Sequence, residues 1–288
     1  MQDHLVRVTT EDGLLRAAAA DTTELVREIC RRQQTDLTAT IALGRLLTGA
    51  ALMGCLLKGS QRLALMVEGN GPLGRIMVET DAEGSIRGKL QNPVAALPPR
   101  DDRFDVAGAV GRAGFLHVIK DLGLKKPYSS MVQLQTSEIG EDLAWYLTHS
   151  EQVPSCVAVG VELDAQGDVA AAGGFLVQAL PPGDLEQLSR LEESLLTLAP
   201  TTSLLRQGVP PVQILRRILS EHPFAVQHET KLTFNCPCCR EQISQMLAGL
   251  GNAEIDSMIL EQSGAEVGCD YCRESYAFSK DDLAALRS

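Results

Sequence analysis

Four cysteines constrain this chain more than any other feature. They stand as Cys236-Pro237-Cys238 and Cys269-Asp270-Tyr271-Cys272, with a further cysteine, Cys239, directly after the first pair. Two close pairs separated by a short insert can set four thiolates around one Zn²⁺ in a tetrahedron. Five of the eight cysteines fall in the last 53 of 288 residues. A secreted disulfide framework spreads its pairs through a short chain instead. The clustering therefore points to a local metal or redox site. It also predicts a small separate domain over residues 232–288, because about 57 residues with few aromatics need such a staple.

The spacing leaves two readings open. A plain Cys₄ zinc site only staples its domain. A redox switch uses the same residues differently. A disulfide across Cys-x-Cys closes a tighter ring than one across Cys-x-x-Cys, and strained disulfides are the labile, regulatory kind. Zinc holds thiols as thiolates, the form that attacks peroxide or hypochlorite. Oxidation removes the ligands, and metal binding is what folds domains of this type.

Charge narrows the partners. Lys plus Arg number 26 against 37 Asp plus Glu, a net charge of −11. Residues 232–288 carry 4 basic and 9 acidic residues, or −5. A protein relying on phosphate contacts is normally basic, so nucleic acid and anionic membranes are not expected partners. The polar start and the absence of a basic-then-apolar leader predict a cytoplasmic protein. The uncharged run over residues 46–57 is too short to span a bilayer and reads as a buried helix.

Periodicity predicts an α/β (α+β) domain with antiparallel and mixed sheets over residues 1–180. Residues 5–9 and 14–20 read as a hairpin around Glu11-Asp12-Gly13. Thr22 or Thr23 is expected to cap a helix to Gln34. A long helix over residues 38–58 carries Gly44, Gly49 and Gly54, small enough to admit a close neighbour. A strand meander over residues 63–90 follows, then strands near 115–120, 131–135, 156–163 and 170–180, with a helix over 141–149. Composition shifts at Pro181-Pro182-Gly183. Residues 181–231 read as a helical linker in which Leu185, Leu188, Leu191, Leu195 and Leu198 form an apolar stripe, expected to face the sheet of residues 63–90. Thr202 is expected to cap a short turn of helix. In the last region Ile243, Met246, Leu247 and Leu250 are expected on one helix face.

The chain resembles the heat shock protein 33 family of bacterial redox-regulated holdases. The resemblance rests on Phe234-Asn235-Cys236-Pro237-Cys238, Glu254-Ile255-Asp256-Ser257-Met258-Ile259, Cys269-Asp270-Tyr271-Cys272 and Tyr276-Ala277-Phe278. In the first part it rests on Gly69-Asn70-Gly71-Pro72-Leu73-Gly74, Ser150-Glu151-Gln152-Val153-Pro154 and Ala171-Ala172-Gly173-Gly174-Phe175. It implies a chaperone that binds unfolded or oxidatively damaged clients without ATP and is not an enzyme. It implies one Zn²⁺ per chain on Cys236, Cys238, Cys269 and Cys272 in a reduced, inactive form. It further implies an oxidised, zinc-free, active homodimer with disulfides Cys236–Cys238 and Cys269–Cys272. Cys239 departs from the pattern, as a competing ligand or a source of wrong disulfides.

Other residues have plainer readings. Cys30, Cys55 and Cys156 read as small buried hydrophobes. His222 and His228 precede the metal motif, but four cysteines already fill a tetrahedron. The Gly69–Gly74 run lacks the Lys-Ser/Thr ending of a phosphate loop and reads as a tight turn. His117 and His149 have no triad partner at motif spacing. Two alternatives from other classes are a zinc-stapled thiol–disulfide oxidoreductase and a zinc-stapled nucleic-acid module. Against the first, Cys269-Asp270-Tyr271-Cys272 does not open a long helix of a βαβ unit.

Overall fold

The computed structural model describes residues 2–100, 103–181, 191, 195, 198–262 and 264–287. The chain divides into two compact units, Met1–Phe234 and Asn235–Ser288.

The first unit is built on two sheets. Strands β1 (His4–Thr10) and β2 (Leu15–Asp21) form the opening hairpin. Helices α1 (Thr23–Gln33) and α2 (Leu37–Gly54) follow. The meander comprises β3 (Arg62–Gly69), β4 (Arg75–Asp81) and β5 (Ser85–Leu90). After a short α3 (Val106–Val110) come β6 (Gly114–Asp121), β7 (Tyr128–Gln133) and α4 (Gly140–His149). Strands β8 (Ser155–Leu163) and β9 (Val169–Ala179) precede α5 (Thr201–Arg206) and α6 (Pro211–Ile218). The unit closes with β10 (Phe224–Lys231) and β11 (Thr233–Phe234). One sheet has the order β10-β1-β2-β9-β8, and the other β11-β5-β4-β3-β6-β7. All pairings are antiparallel except β11 with β5.

The main core lies between the sheets around α1 and α2. Leu43, Leu46 and Leu47 of α2 are buried with Leu65, Val67, Ile76 and Val78 of the six-stranded sheet and with Leu5, Ala18, Ala20 and Leu176 of the other. Helix α2 is apolar and long enough to cross a bilayer by length and composition, yet it is buried almost all round, as a helix between two sheets must be. Its glycines admit neighbours. A Cβ on Gly44 would sit 2.5 Å from Val161, and one on Gly49 would sit 2.3 Å from Leu143. Asp36 caps its N-terminus by accepting from the Ala39 N–H at 2.8 Å.

The cap of α1 comes from elsewhere. Thr22 holds the cap position, but its hydroxyl bonds the Thr48 hydroxyl at 2.8 Å. The buried Asp3 carboxylate instead accepts from the N–H groups of Glu24 and Leu25 at 3.1 and 2.6 Å. Burial pushes the Asp3 pKa up to about 6, against the pull of those two N–H groups. The turn holding Gly69–Gly74 docks on α3: Gly71 N–H donates to Val110 O at 2.9 Å and Leu73 N–H to Ala109 O at 3.1 Å.

The outer face of the five-stranded sheet carries a second core. Val6, Val8, Ala17, Ala19, Phe175 and Val177 pack there against Leu204, Leu205, Ile214, Leu215, Ile218 and Leu219 of the α5–α6 segment. Leu191, Leu195 and Leu198 join this cluster, so the expected docking on the sheet of residues 63–90 is corrected. That sheet's inner face is already filled by α1 and α2. Its outer face carries ion pairs such as Arg75–Glu68 and Arg87–Glu79. Leu185 and Leu188 lie outside the described residues. Two further expectations are corrected. Thr202 sits inside α5, which Pro200 precedes at the cap position. Residues 224–231, read as linker, form strand β10 on the edge beside β1.

The second unit contains α7 (Arg240–Ala248), α8 (Asn252–Ser257), a π-helical turn (Met258–Gln262), the hairpin β12 (Gly264–Gly268) and β13 (Ser275–Ser279), and α9 (Lys280–Ala284). Its core is small: Ile243, Leu247, Ile255, Phe278 and Leu283. Met246 and Leu250 are 70% and 54% exposed, against the expectation that they share the buried face. A core of five side chains takes only the narrow Ile243–Leu247 stripe of α7.

Candidate metal centre

Two loops of the second unit bring the cysteines together. Cys236 and Cys238 lie on the segment leading into α7, and Cys269 and Cys272 in the turn of the β12–β13 hairpin. That turn is closed by backbone bonds from Cys269 N–H to Glu274 O at 2.9 Å and from Arg273 N–H to Cys269 O at 2.8 Å. Arg273 adopts φ 63°, the left-handed conformation that lets the chain reverse after Cys272.

The four sulfurs lie within 4.8 Å of one another. Cys236 and Cys238 are 3.4 Å apart, Cys236 and Cys269 3.7 Å, and Cys238 and Cys272 3.1 Å. Bonds of about 2.3 Å to a tetrahedral ion place sulfurs about 3.8 Å apart. The donor set therefore fits a thiophilic divalent metal such as zinc. All four cysteines are free thiols here.

Electrostatics differ among the four. Burial disfavours the Cys269 thiolate, but the N–H groups of Cys272 and Tyr271 and the thiols of Cys272 and Cys236 all favour it, bringing its pKa down to about 7. Cys272 goes up, through burial and then the bond to Cys238. Cys238 also goes up, mainly by burial. One side chain to which the sequence assigns no metal role lies near the sulfurs: the Tyr276 hydroxyl meets Cys238 Sγ at 3.4 Å. An aromatic four residues past Cys272 carries no metal signal by itself, and alternation with Phe278 accounts for it as a strand residue.

Comparison with known proteins agrees with this arrangement. The family model described as Hsp33 protein matches residues 3–279. The chain belongs to the Hsp33 family. A "33 kDa chaperonin" of Syntrophotalea carbinolica is 56% identical over 286 residues, covering 99% of each chain. One from Geobacter sulfurreducens is 50% identical over 285 residues, covering 99% of this chain and 95% of that one. The crystal structure of the Hsp33 homologue, a 33 kDa chaperonin, of Thermotoga maritima superimposes with a TM-score of 0.92 at 35% identity, covering 99% and 98% of the two chains. The mixed α+β architecture is thus that of Hsp33.

The remaining residues singled out from sequence lie apart from the four thiols. Cys239 stands at the cap position of α7, where its thiol helps hold the Glu241 carboxylate below the usual range; it is outside the cluster of four. His222 lies 3.6 Å from Asp12, and His228 lies on β10 opposite Arg7. Burial pushes the thiols of Cys30 and Cys55 up to about 12, so both stay protonated and unreactive. Cys156 is partly buried against the outer core.

Proposed function

We propose that this protein is a redox-regulated, ATP-independent holdase that binds unfolding or oxidatively damaged proteins in the cytoplasm and keeps them from aggregating. The Hsp33 family is one of chaperones, not enzymes. The observation that carries the reading is the convergence of Cys236, Cys238, Cys269 and Cys272 within 4.8 Å in a unit whose hydrophobic core, among the described residues, centres on Ile243, Leu247, Ile255, Phe278 and Leu283. One bound Zn²⁺ would hold the four sulfurs as thiolates and add folding free energy of about 10–16 kcal/mol.

The reduced form is then the resting state. On oxidation the thiolates of Cys236 and Cys238 give up two electrons and join as a disulfide, Cys269 and Cys272 do the same, and for each pair two protons from solvent go to the peroxide. Each event reduces one peroxide to two waters. The thiolate donors are gone, and a unit of 54 residues with so small a core loses the metal that staples it. The linker over residues 181–223 is the second gate. Leu191, Leu195 and Leu198 are docked on an apolar sheet face, and undocking them exposes both surfaces to a client. The active form is a homodimer, and the net charge of −11 disfavours nucleic acid as a partner.

The test measures zinc release and suppression of light scattering by a heat-unfolded client on one sample before and after peroxide treatment. Zinc loss together with a gain of suppression supports the reading. Equal suppression by reduced and oxidised protein sinks the redox part, and turnover of insulin disulfides favours the oxidoreductase alternative.

A further inference from the structure

Strand pairing puts two thioethers and an imidazole in one row on the outer face of the six-stranded sheet. Met66 of β3 stands opposite His117 of β6, and His117 stands opposite Met131 of β7. The chain neighbours Leu65, Val67, Leu116 and Val118 are buried in the main core. The pleat therefore turns Met66 and His117 outward, and Met131, opposite His117, shares their face. Residues directly opposite on neighbouring strands have Cβ atoms about 5 Å apart, a gap that an unbranched, flexible methionine can bridge. Met66 is half-buried and Met131 is 54% exposed, so the row is open to a small ion.

The imidazole has a support behind it. Glu68 Oε1 accepts from Arg75 Nε and Nη2 at 2.9 and 2.8 Å, and Glu68 Oε2 lies 3.8 Å from His117 Nε2. His117 Nδ1 has no partner among the described residues. A carboxylate facing one ring nitrogen, with the other unpartnered, is the arrangement that orients a histidine toward a metal. Two thioethers and one neutral imidazole bring no negative charge, and thioethers are soft donors. Such a set suits Cu(I) or its analogue Ag(I) and serves magnesium, calcium or zinc poorly. The Phe115 ring, centred 6.3 Å from that of His117, walls one side of the row.

We propose that Met66 Sδ, His117 Nδ1 and Met131 Sδ form a second metal site, for one soft monovalent ion of the Cu(I) class. Glu68 is its positioning residue. Met77 continues the row beyond Met66, but the β3 strand separates it from His117, and it is not one of the ligands. The site shares no ligand with the four thiols and does not rest on the holdase reading. It gives a role to a histidine that has no triad partner at motif spacing.

The test titrates the full zinc-loaded chain, its methionine methyl groups isotopically labelled for NMR, with silver nitrate in chloride-free buffer. Silver also enters the thiol cluster, but each methyl signal reports its own thioether. Met246, 70% exposed on α7, is the reference for a lone thioether whether or not its unit keeps zinc, and the buried Met53 is the silent control. Ligands held together act at high effective concentration, so Met66 and Met131 should shift together and saturably at roughly tenfold less free silver than Met246. His117→Gln should raise their requirement to that of Met246, and Met131→Leu should do the same for Met66. Leucine conserves volume at an exposed position, so the second variant decides the matter even if the first folds poorly. Met66 and Met131 responding no earlier than Met246 overturns the site. A Met66 response that Met131→Leu leaves unchanged overturns the shared ion.

Discussion

The Tyr276 hydroxyl donates to the backbone carbonyl of Cys238 at 3.2 Å, and the same oxygen lies 3.4 Å from the Cys238 sulfur. A strand residue thereby holds both the main chain and the side chain of one thiol. Groups that orient a metal's ligands typically account for 10–100-fold in affinity. Tyr276→Phe keeps the ring and removes only the hydroxyl. It should weaken zinc binding about tenfold in competition with a chromophoric chelator, with the hairpin intact by circular dichroism. Unchanged affinity would make the contact incidental.

Cys236→Ser and Cys239→Ser, three residues apart, should behave oppositely. The first removes one of the four converging sulfurs and should abolish stoichiometric zinc and loosen residues 235–288, while the first unit keeps its cooperative melt. The second removes a thiol that faces Glu241 and should leave zinc content at one per chain. Hydrogen exchange by mass spectrometry with metal analysis checks both. Collapse of the whole chain in Cys236→Ser would contradict the division at Phe234.

Asp3 supplies a pH signature. Its folded pKa is raised from 3.8 to about 6 by burial, so the ionised form costs the fold above about pH 6. That cost fades as pH falls and is gone below the unfolded value of 3.8. Relative to Asp3→Asn, the natural protein should therefore gain on the order of 2 kcal/mol between pH 7 and pH 4. Denaturant melts of the two proteins across that range test it. A difference that does not vary with pH would remove the linkage.

Ile214 is fully buried where α6 meets the five-stranded sheet. Ile214→Ala should cost roughly 2–4 kcal/mol, concentrated on the docking of this segment. Aggregation suppression should then appear at lower temperature, and after milder peroxide treatment, than in the natural protein. If oxidised protein suppresses aggregation while residues 198–219 stay as protected as in the reduced form, the linker is not the gate.

The fold was legible wherever one face of an element is buried. The β1–β2 hairpin, the meander and α4 all follow alternation or a period near 3.6. Legibility failed for three physical reasons. Strand β10, Phe-Ala-Val-Gln-His-Glu-Thr-Lys, is an exposed edge with no buried face to impose alternation. The cap of α1 comes from Asp3, twenty residues upstream of Thr23, beyond the reach of a local rule. The leucine stripe has one apolar surface available to it, and choosing it required knowing that α1 and α2 fill the other. The signal was present in β9, whose Ala- and Val-rich run is apolar on both faces and so needs a cover on each. The convergence of Cys236, Cys238, Cys269 and Cys272 was readable from spacing, whereas the nearness of Tyr276 and the place of Cys239 outside the cluster depend on how a tight turn and a helix start aim their side chains.

Strands β10 and β11 are separated by Leu232 alone, yet they belong to different sheets. Leu232 N–H donates to Asp3 O at 3.1 Å and Thr233 N–H to Gly84 O at 3.0 Å. The chain is therefore riveted to both layers immediately before Asn235 and Cys236. With one residue of slack, the tail is a tether on a fixed post, and its unravelling cannot creep backwards residue by residue. To pass Phe234 it must tear a strand from each sheet together, so protease nicking of the oxidised protein should fall sharply at this seam.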